Sequence, residues 1–422
     1  MINCHVDPEP AMGPTQGAVE RERHENAART GTILFVLHGW GGGTEVHVND
    51  LRALLEEEGI ATLVCKVDAH DGNLMRITNS DLDTESRFPA FDLRSDFGGF
   101  VEALGKCNVR HMHIHHLAGF VPEASDFFRR VAAAAGILYD VTVHDYMSAC
   151  PRINLIDRSG VYCGEPSINV CESCIAKSGS SFGHPKVREW RERYERLFAG
   201  ARLLFVPDVD VKNRMERFFP SVRFEVHAHP EPRVTLPSVS KPRGDAPRSG
   251  IKRIALLGAF GPHKGSALLE AVARSAKYRG LPIEFVVVGY TDRDETLRTL
   301  GVEVTGKYPR EQATELLAAT QADFAWFSSV CPETYCFTLT SAFDAGLYPV
   351  AFDFGAIATR IKALGWGRVL PIETMLKPNK LAEIFAELSV PEAPAARADM
   401  PPTGAIGGFF DNYYGQGTLL RR

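Results

Sequence analysis

Three groups of residues in this sequence have types and spacings suited to chemistry: a carboxylate ahead of a helix, a lysine in a glycine loop and a cluster of thiols. The first lies in Pro332-Glu333-Thr334-Tyr335-Cys336-Phe337-Thr338-Leu339-Thr340-Ser341-Ala342-Phe343-Asp344-Ala345-Gly346, followed by the strand-like run Tyr348–Phe352. A helix that opens near Phe337 and closes at Gly346 leaves unpaired backbone N–H groups at its start, with Glu333 just ahead of them. Amides such as those of Phe337 and Thr338 favour an anion, and a carboxylate accepts from hydroxyls, so the pattern suits a ligand carrying both phosphates and hydroxyls. A carboxylate that merely offsets the helix dipole is the plainer use of Glu333, worth a few tenths to about 1 kcal/mol.

The second group is Gly258-Ala259-Phe260-Gly261-Pro262-His263-Lys264-Gly265, between the strand-like Ile254–Leu257 and the helical Ser266–Tyr278. Small residues allow close backbone approach and Lys264 supplies a mobile cation, an arrangement that fits a diphosphate. It matches neither the P-loop nor the dinucleotide fingerprint. Gly41-Gly42-Gly43-Thr44-Glu45 also follows a strand, Ile33–Leu37, and opens a helix over Val46–Glu58. Its amides can approach a phosphate from the opposite side. Thr44 stands where a dinucleotide fingerprint needs its third glycine, which weighs against an NAD-dependent enzyme.

Cys150, Cys163, Cys171 and Cys174 have twelve, seven and two residues between successive members. The terminal C-x-x-C brings two thiolates to one ion, and two more complete a closed tetrahedral zinc site, hence a structural one. The stretch Ile153–Asn169 is rich in Gly, Pro, Ser and charge, so metal ligation would replace a core too small to form alone. Cys331 and Cys336, flanking Glu333, read as small pocket or core residues. His111, His113, His115 and His116 surround an apolar strand end, and His144-Asp145 ends the next strand, with Asp145 placed to orient the histidine.

Holding these groups in place requires two similar halves. Each opens with a strand, a glycine loop and a helix, and short apolar runs then alternate with helical segments: Ala61–Cys65, His111–His115, Val141–His144 and Leu203–Val206, then Glu284–Val288, Asp323–Phe327 and Tyr348–Phe352. Such alternation specifies an α/β fold with parallel sheets covered by helices on both faces. The Pro-, Ser- and Gly-rich stretch 237–250 reads as a linker between domains over 31–236 and 251–390, with a Cys-rich insertion at about 147–185 in the first. Residues 1–30 read as a mobile extension and 391–422 as a tail, whose aromatic segment Gly408–Gly415 is suited to docking across the domains or against an acceptor.

Whole-chain properties narrow the function classes. The 422 residues are 45% hydrophobic and 23% charged, and a net charge of −5 gives no general attraction to nucleic acid. No apolar run approaches the roughly 18 residues that span a bilayer, and Met1–Pro10 lacks the pattern of a secretory signal. The expected compartment is the cytoplasm, where nine cysteines, an odd number, fit metal ligation better than a disulfide framework.

Taken together, Gly41–Glu45, His144-Asp145-Tyr146 through Cys150-Pro151-Arg152, His263-Lys264-Gly265 and the Glu333 stretch resemble the retaining glycosyltransferases of GT-B architecture, near family 4, over nearly all of residues 31–390. The resemblance implies two Rossmann-like domains facing a central cleft. It also implies a nucleotide-diphosphate sugar as donor, a glycan or lipid-linked acceptor in surface polysaccharide biosynthesis, retention of configuration, no catalytic metal, and at most transient contact with a membrane surface. Lys264, Glu333 and His116 take the catalytic positions by this likeness. Gly42, Gly43, His263, Lys264, Tyr308, Glu333, Phe337, Thr338 and Ser341 take the donor-binding ones, with Tyr308 beside the base.

Two positions depart from the family pattern. Ala259 stands where an Arg usually precedes the Lys, which leaves His263 to supply the missing donor and to titrate near its ordinary value of about 6.5. Ser341 stands where a second Glu holds the ribose hydroxyls. These departures support a second reading, a catalytically silent module that binds a glycan or nucleotide sugar.

Overall fold

The computed structural model describes residues 31–79, 88–231 and 250–391, together with Tyr414. The expected extension (1–30), the linker residues 237–249 and the tail beyond 391, Tyr414 excepted, lie outside the described residues. Strand β1 (Thr32–Leu37) is buried along its whole length, as a strand must be when neither face of its sheet meets water. Leu34 and Val36 join Met112, Ile114 and Phe128 in one core, while Ile33, Phe35 and Leu37 pack on Val48, Leu51 and Leu55 in another. The last three share one face of α1 (Gly43–Glu57), at the spacing a helix needs to cover a sheet.

The first sheet continues with β2 (Ala61–Val67), β3 (Leu74–Thr78), β4 (Phe91–Asp92), α2 (Phe97–Lys106), β5 (Val109–Ile114), α3 (Ala124–Ala135) and β6 (Leu138–Thr142). It is completed by α4 (Ile168–Ser178), α5 (Val187–Ala199), β7 (Leu204–Val206), α6 (Val209–Phe218) and β8 (Glu225–Val226). The strand order is β4-β3-β2-β1-β5-β6-β7-β8, parallel except where β3 and β4 add an antiparallel ribbon at one edge.

The second sheet is built from β9 (Lys252–Phe260), α7 (Ser266–Arg279), β10 (Ile283–Thr291), α8 (Asp294–Thr299), β11 (Glu303–Val304), α9 (Ala313–Ala319) and β12 (Phe324–Phe327). Then follow α10 (Phe337–Asp344), β13 (Tyr348–Phe352), α11 (Gly355–Leu364), β14 (Arg368–Leu370) and α12 (Pro378–Glu387). Its order, β11-β10-β9-β12-β13-β14, is the doubly wound arrangement, in which the chain reverses direction beside the first strand. Ile254 and Leu256 face one core, Ala255 and Leu257 the other.

The architecture is therefore the α/β fold with two parallel-sheet domains expected from the sequence, with local differences. The β3–β4 ribbon was not expected. Strand β9 runs on through Phe260, with Ala259 paired to Tyr290, so Ala259 belongs to the strand and the loop proper is Gly261–Gly265. Strand β6 begins at Leu138 rather than Val141, because Asp140 is buried inside it and paired with Arg202 and His111. The Cys-rich segment does not stand apart from the rest: Ile156, Val161 and Tyr162 pack against the second domain's core, and Tyr162 meets Phe354 with ring centroids 5.6 Å apart.

One buried polar knot ties the two halves where the chain leaves the first. Glu231 Oε2 accepts from Tyr335 Oη (2.8 Å), Thr340 Oγ1 (2.6 Å) and Arg360 Nη2 (3.2 Å). Arg360 also donates to the Cys336 carbonyl at 2.7 Å and lies over the Tyr335 ring, 4.7 Å from its centroid. Burial pushes the Glu231 carboxyl above its ordinary value against the pull of Arg360 and the two hydroxyls. Glu231→Ala would leave the buried Arg360 guanidinium without its carboxylate, and breaking such a pair costs about 3–5 kcal/mol. Urea unfolding should show a loss of that order, whereas a loss below about 1 kcal/mol would contradict the role given to this knot.

Candidate active site in the interdomain cleft

Open parallel sheets bind ligands beyond the carboxyl ends of their strands, where the strand order reverses. That point lies between β1 and β5 in the first sheet and between β9 and β12 in the second, and the two face one cleft of about 710 Å3. Gly43, Thr44, His144 and Asp145 line it from the first domain, Lys264 and Glu333 from the second.

Lys264 Nζ sits 3.5 Å from Glu333 Oε2, with the side chains 31% and 14% exposed, so the pair is sheltered but still reachable. Ser329 Oγ donates to the other carboxylate oxygen, Glu333 Oε1. Backbone proximity sets this geometry. A Cβ on Gly265 would lie 2.1 Å from the Ser328 carbonyl oxygen, and one on Gly355 would lie 2.8 Å from the Glu333 nitrogen, both at positive φ. The loops are further joined by Ser328 Oγ donating to the Lys264 carbonyl at 2.7 Å and Val330 N to the His263 carbonyl at 3.0 Å.

The Glu333 carboxylate raises the Lys264 ammonium above its ordinary value, so the lysine is charged throughout the neutral range. Burial, and then Lys264, lower the His263 imidazole. The expectation of a titration near 6.5 is thereby corrected: His263 is uncharged at neutral pH and contributes at most a neutral N–H.

Helices α1 and α10 both begin at the cleft. Among the described residues no side chain caps the first amides of either, and the two starts meet, since a Cβ on Gly43 would be 3.7 Å from the Phe337 ring. Gly42 precedes α1 as its cap. Thr338 approaches the end of β9 at Gly258, with 3.9 Å between its Cγ2 and a Cβ built there. Tyr308 is half-buried, packs beside the second domain's core and has its hydroxyl pushed up to about 12 by burial, within the field of Lys264. Ser341 lies one turn into α10, half-buried.

On the first domain, a polar row runs up the sheet as pairs whose members lie 29 residues apart. His111 Nε2 pairs with Asp140 (2.9 Å), His113 Nε2 with Thr142 Oγ1 (2.8 Å), and His115 Nδ1 with His144 Nε2 (3.0 Å). His116 Nε2 then pairs with Asp145. The parallel register of β5 and β6, from His111 beside Leu138 to Ile114 beside Val141, brings the first two pairs together. His116 Nδ1 accepts from Ala118 N at 2.9 Å, so both ring nitrogens are committed. His116 therefore faces Asp145 and not the Lys264 side of the cleft, and Asp145 is the group of this pair that lines it. Tyr414 docks at the foot of the row, its hydroxyl 2.6 Å from His113 Nδ1.

Several residues here were not singled out from sequence: His229, Glu231, Thr334, Arg310 and Trp40. Thr334 Oγ1 donates across the cleft to the His144 carbonyl at 2.5 Å. Arg310 pairs with Asp50 through both nitrogens (3.0 and 3.1 Å) and lies over the Phe337 ring. Trp40, 60% exposed, stacks on His38 at the first-domain rim. His229 and Glu231 fall in the run His227-Ala228-His229-Pro230-Glu231 just before the linker, and that density of polar groups was the available signal.

The four cysteines of the expected zinc site are free thiols. Cys163 and Cys171 both act on Cys150, Cys171 acts on Cys163, and Cys174 acts on Cys171, so the four share one neighbourhood. Burial pushes the Cys150 thiol up to about 11 and also raises that of Cys171, where Arg191 Nη2, donating to Sγ at 3.6 Å, pulls in the opposite direction. Among the described residues, the side chains whose donor atoms come within 4.8 Å of one another in a group of three are His47, His144 and His229. The cysteine set is looser than that. No described helix is long and apolar enough to cross a membrane.

No family model matches the chain, and no curated protein matches it in sequence. Solved structures do. Sucrose-phosphate synthase from Thermosynechococcus elongatus is 14% identical with a TM-score of 0.54 over 84% of this chain and 90% of that one. The pneumococcal O-GlcNAc transferase GtfA, in complex with UDP and GlcNAc, is 10% identical with a TM-score of 0.52 over 84% and 90%. HepE from Anabaena, in complex with UDP and glucose, is 15% identical with a TM-score of 0.50 over 84% and 89%. At these identities the likeness concerns architecture, and it agrees with the sheet orders and the cleft: the chain has the GT-B fold.

Proposed function

We propose that the chain is a glycosyltransferase that moves a sugar from a nucleotide-diphosphate donor to a hydroxyl of a glycan or lipid-linked acceptor, with retention of configuration. The observation that carries this reading is the Lys264–Glu333 pair, held between two uncapped helix starts at the switch points of both sheets. A ligand with anionic and hydroxyl-bearing parts uses all of these groups at once. Two structures of like fold contain UDP with a sugar, which supports a donor of that class.

In this scheme the diphosphate lies against Gly42, Gly43 and the Phe337 and Thr338 amides, with Lys264 beside it. The bond between the anomeric carbon and the diphosphate oxygen breaks, and Lys264 with the two helix starts stabilises the charge that develops there. The acceptor oxygen bonds to the same face of the anomeric carbon, and its proton passes to the departing phosphate. Glu333, oriented by Ser329, holds hydroxyls of the transferred sugar. Tyr308 borders the base and Ser341 the ribose. His116 acts by holding Asp145 toward the sugar. Trp40 offers an aromatic face to a glycan acceptor on the first-domain side. A structural zinc at Cys150, Cys163, Cys171 and Cys174 belongs to the same proposal; bound there, it would fix the segment wedged between the domains, and the chemistry in the cleft is assigned to side chains and amides.

Three outcomes are expected. Lys264→Ala should slow transfer by on the order of 10²-fold, as loss of one preorganised charge-stabilising donor does; an unchanged turnover would remove Lys264 from the mechanism. Because the His263 value is lowered, its proton is already lost below about 6.5. The kcat/KM profiles of wild type and His263→Gln should thus share one shape between about pH 7 and 8, and an inflection in that interval seen only in wild type would restore a cationic role for His263. Cobalt exchanged into the protein should give a sulfur-to-metal charge-transfer band that Cys171→Ser abolishes, and a folded wild-type chain without that band would rule out the thiolate site.

A further inference from the structure

A second metal-ligating set lies outside these roles. His47 stands on α1, His144 follows β6, and His229 follows β8 on the segment that leaves the first domain. One donor nitrogen from each comes within 4.8 Å of the others. The His47 and His229 ring centroids are 3.8 Å apart, and each lies 5.2 or 5.1 Å from that of His144. His47 and His229 are 0% and 2% exposed.

We propose that His47, His144 and His229 hold one divalent transition-metal ion of the zinc class. The donor chemistry fits: three imidazoles with one position left for water match the sites such ions occupy with an open coordination position. Burial lowers all three rings, helped by the neighbouring imidazoles at His47 and His144 and by Arg360 at His229, which favours the neutral form in which imidazole ligates. Among the described residues His229 Nδ1 is buried with no hydrogen-bond partner, an unfavourable state for a polar atom that a metal would relieve. His144 Nε2 is engaged by His115 Nδ1 at 3.0 Å, which leaves His144 Nδ1 for the ion and gives it the supporting partner that ligating histidines usually have. Zinc–nitrogen bonds of about 2.0–2.1 Å set tetrahedral nitrogens roughly 3.4 Å apart, so from separations within 4.8 Å binding needs each ring to move inward by at most about an ångström.

The ion would act as a clamp on the domain crossing. His229 stacks on Phe337 with ring centroids 5.8 Å apart and an interplanar angle of 16°, and it meets Tyr335 at 4.6 Å. Fixing His229 to α1 and the β6 end therefore fixes the start of α10 and the Tyr335–Glu231 contact. This inference rests on the three imidazoles and their surroundings, independently of the reaction assigned to the cleft.

The test is cobalt(II) titration of the full chain without a histidine tag, in a Cys171→Ser background that disables the thiolates. One equivalent should bind with visible d–d bands and no sulfur charge-transfer band. His229→Gln and His47→Gln should each weaken it by on the order of 100-fold. EDTA should lower the melting temperature of the Cys171→Ser chain and leave that of the same chain carrying His229→Gln unmoved. If Cys171→Ser does not fold, the titration is run on wild type and His229→Gln, where the sulfur-free component alone should disappear. A folded chain that binds no cobalt through nitrogen, or binding that both glutamine variants leave intact, would overturn the site.

Discussion

The cleft depends on how closely two backbone segments approach each other. Gly265 lies against the Ser328 carbonyl, and Gly355 lies against the backbone of Glu333; in both places a Cβ would overlap main-chain atoms. That approach brings the loop after β9 and the loop after β12 into one surface, so the ammonium of Lys264 meets the carboxylate of Glu333 at 3.5 Å. Two side chains from residues 69 positions apart thus share a site that neither loop forms alone. The same constraint aims the first amides of α10 past Glu333 into the cleft.

Opposite this surface the first domain answers with polarity buried in a parallel sheet, which is unusual where strands are covered on both faces. The cross-strand row from His111–Asp140 to His116–Asp145 satisfies most of that polarity by pairing β5 with the end of β6. Its upper end is where His144 and Asp145 reach the cleft, and its foot takes the hydroxyl of Tyr414. Rigid pairs of this kind specify one register, since a one-residue slip would reverse every side chain. The Glu231 knot does the corresponding work between the domains, because its carboxylate accepts from three separate groups of the second domain.

Much of the fold was legible because it is written in local pattern. The strand, glycine loop and helix that open each half gave β1–α1 and β9–α7, and Tyr348–Phe352 and the start of α10 at Phe337 were read as they stand. Local reading failed where tertiary pairing overrides composition. Asp140 interrupts an apolar run, so the start of β6 was placed too late, although its burial is met by Arg202 and His111. Gly43 is a weak helix former, so the sequence pattern starts α1 only at Val46. In the site, Lys264, Glu333, Gly43 and Phe337 were visible as motifs. His229, Glu231 and Arg310 were not, because their partners, Phe337, Arg360 and Asp50, are distant in sequence and no periodicity connects them. His263 shows a third kind of limit: its identity was legible, but its protonation state follows from burial beside Lys264.

The proposed function requires that this cleft bind a nucleotide-diphosphate sugar. The most direct measurement is thermal unfolding of the full chain against a panel of nucleotide-diphosphate sugars, with the free sugars and NADH alongside. A ligand at 100 times its dissociation constant adds about 2.7 kcal/mol to stability, a shift well within reach of the method. The account predicts stabilisation by one donor base and sugar, with none from NADH or free sugar. No stabilisation by any nucleotide-diphosphate sugar, or stabilisation by a free glycan alone, would contradict it and leave a GT-B shell that binds glycan without transferring it.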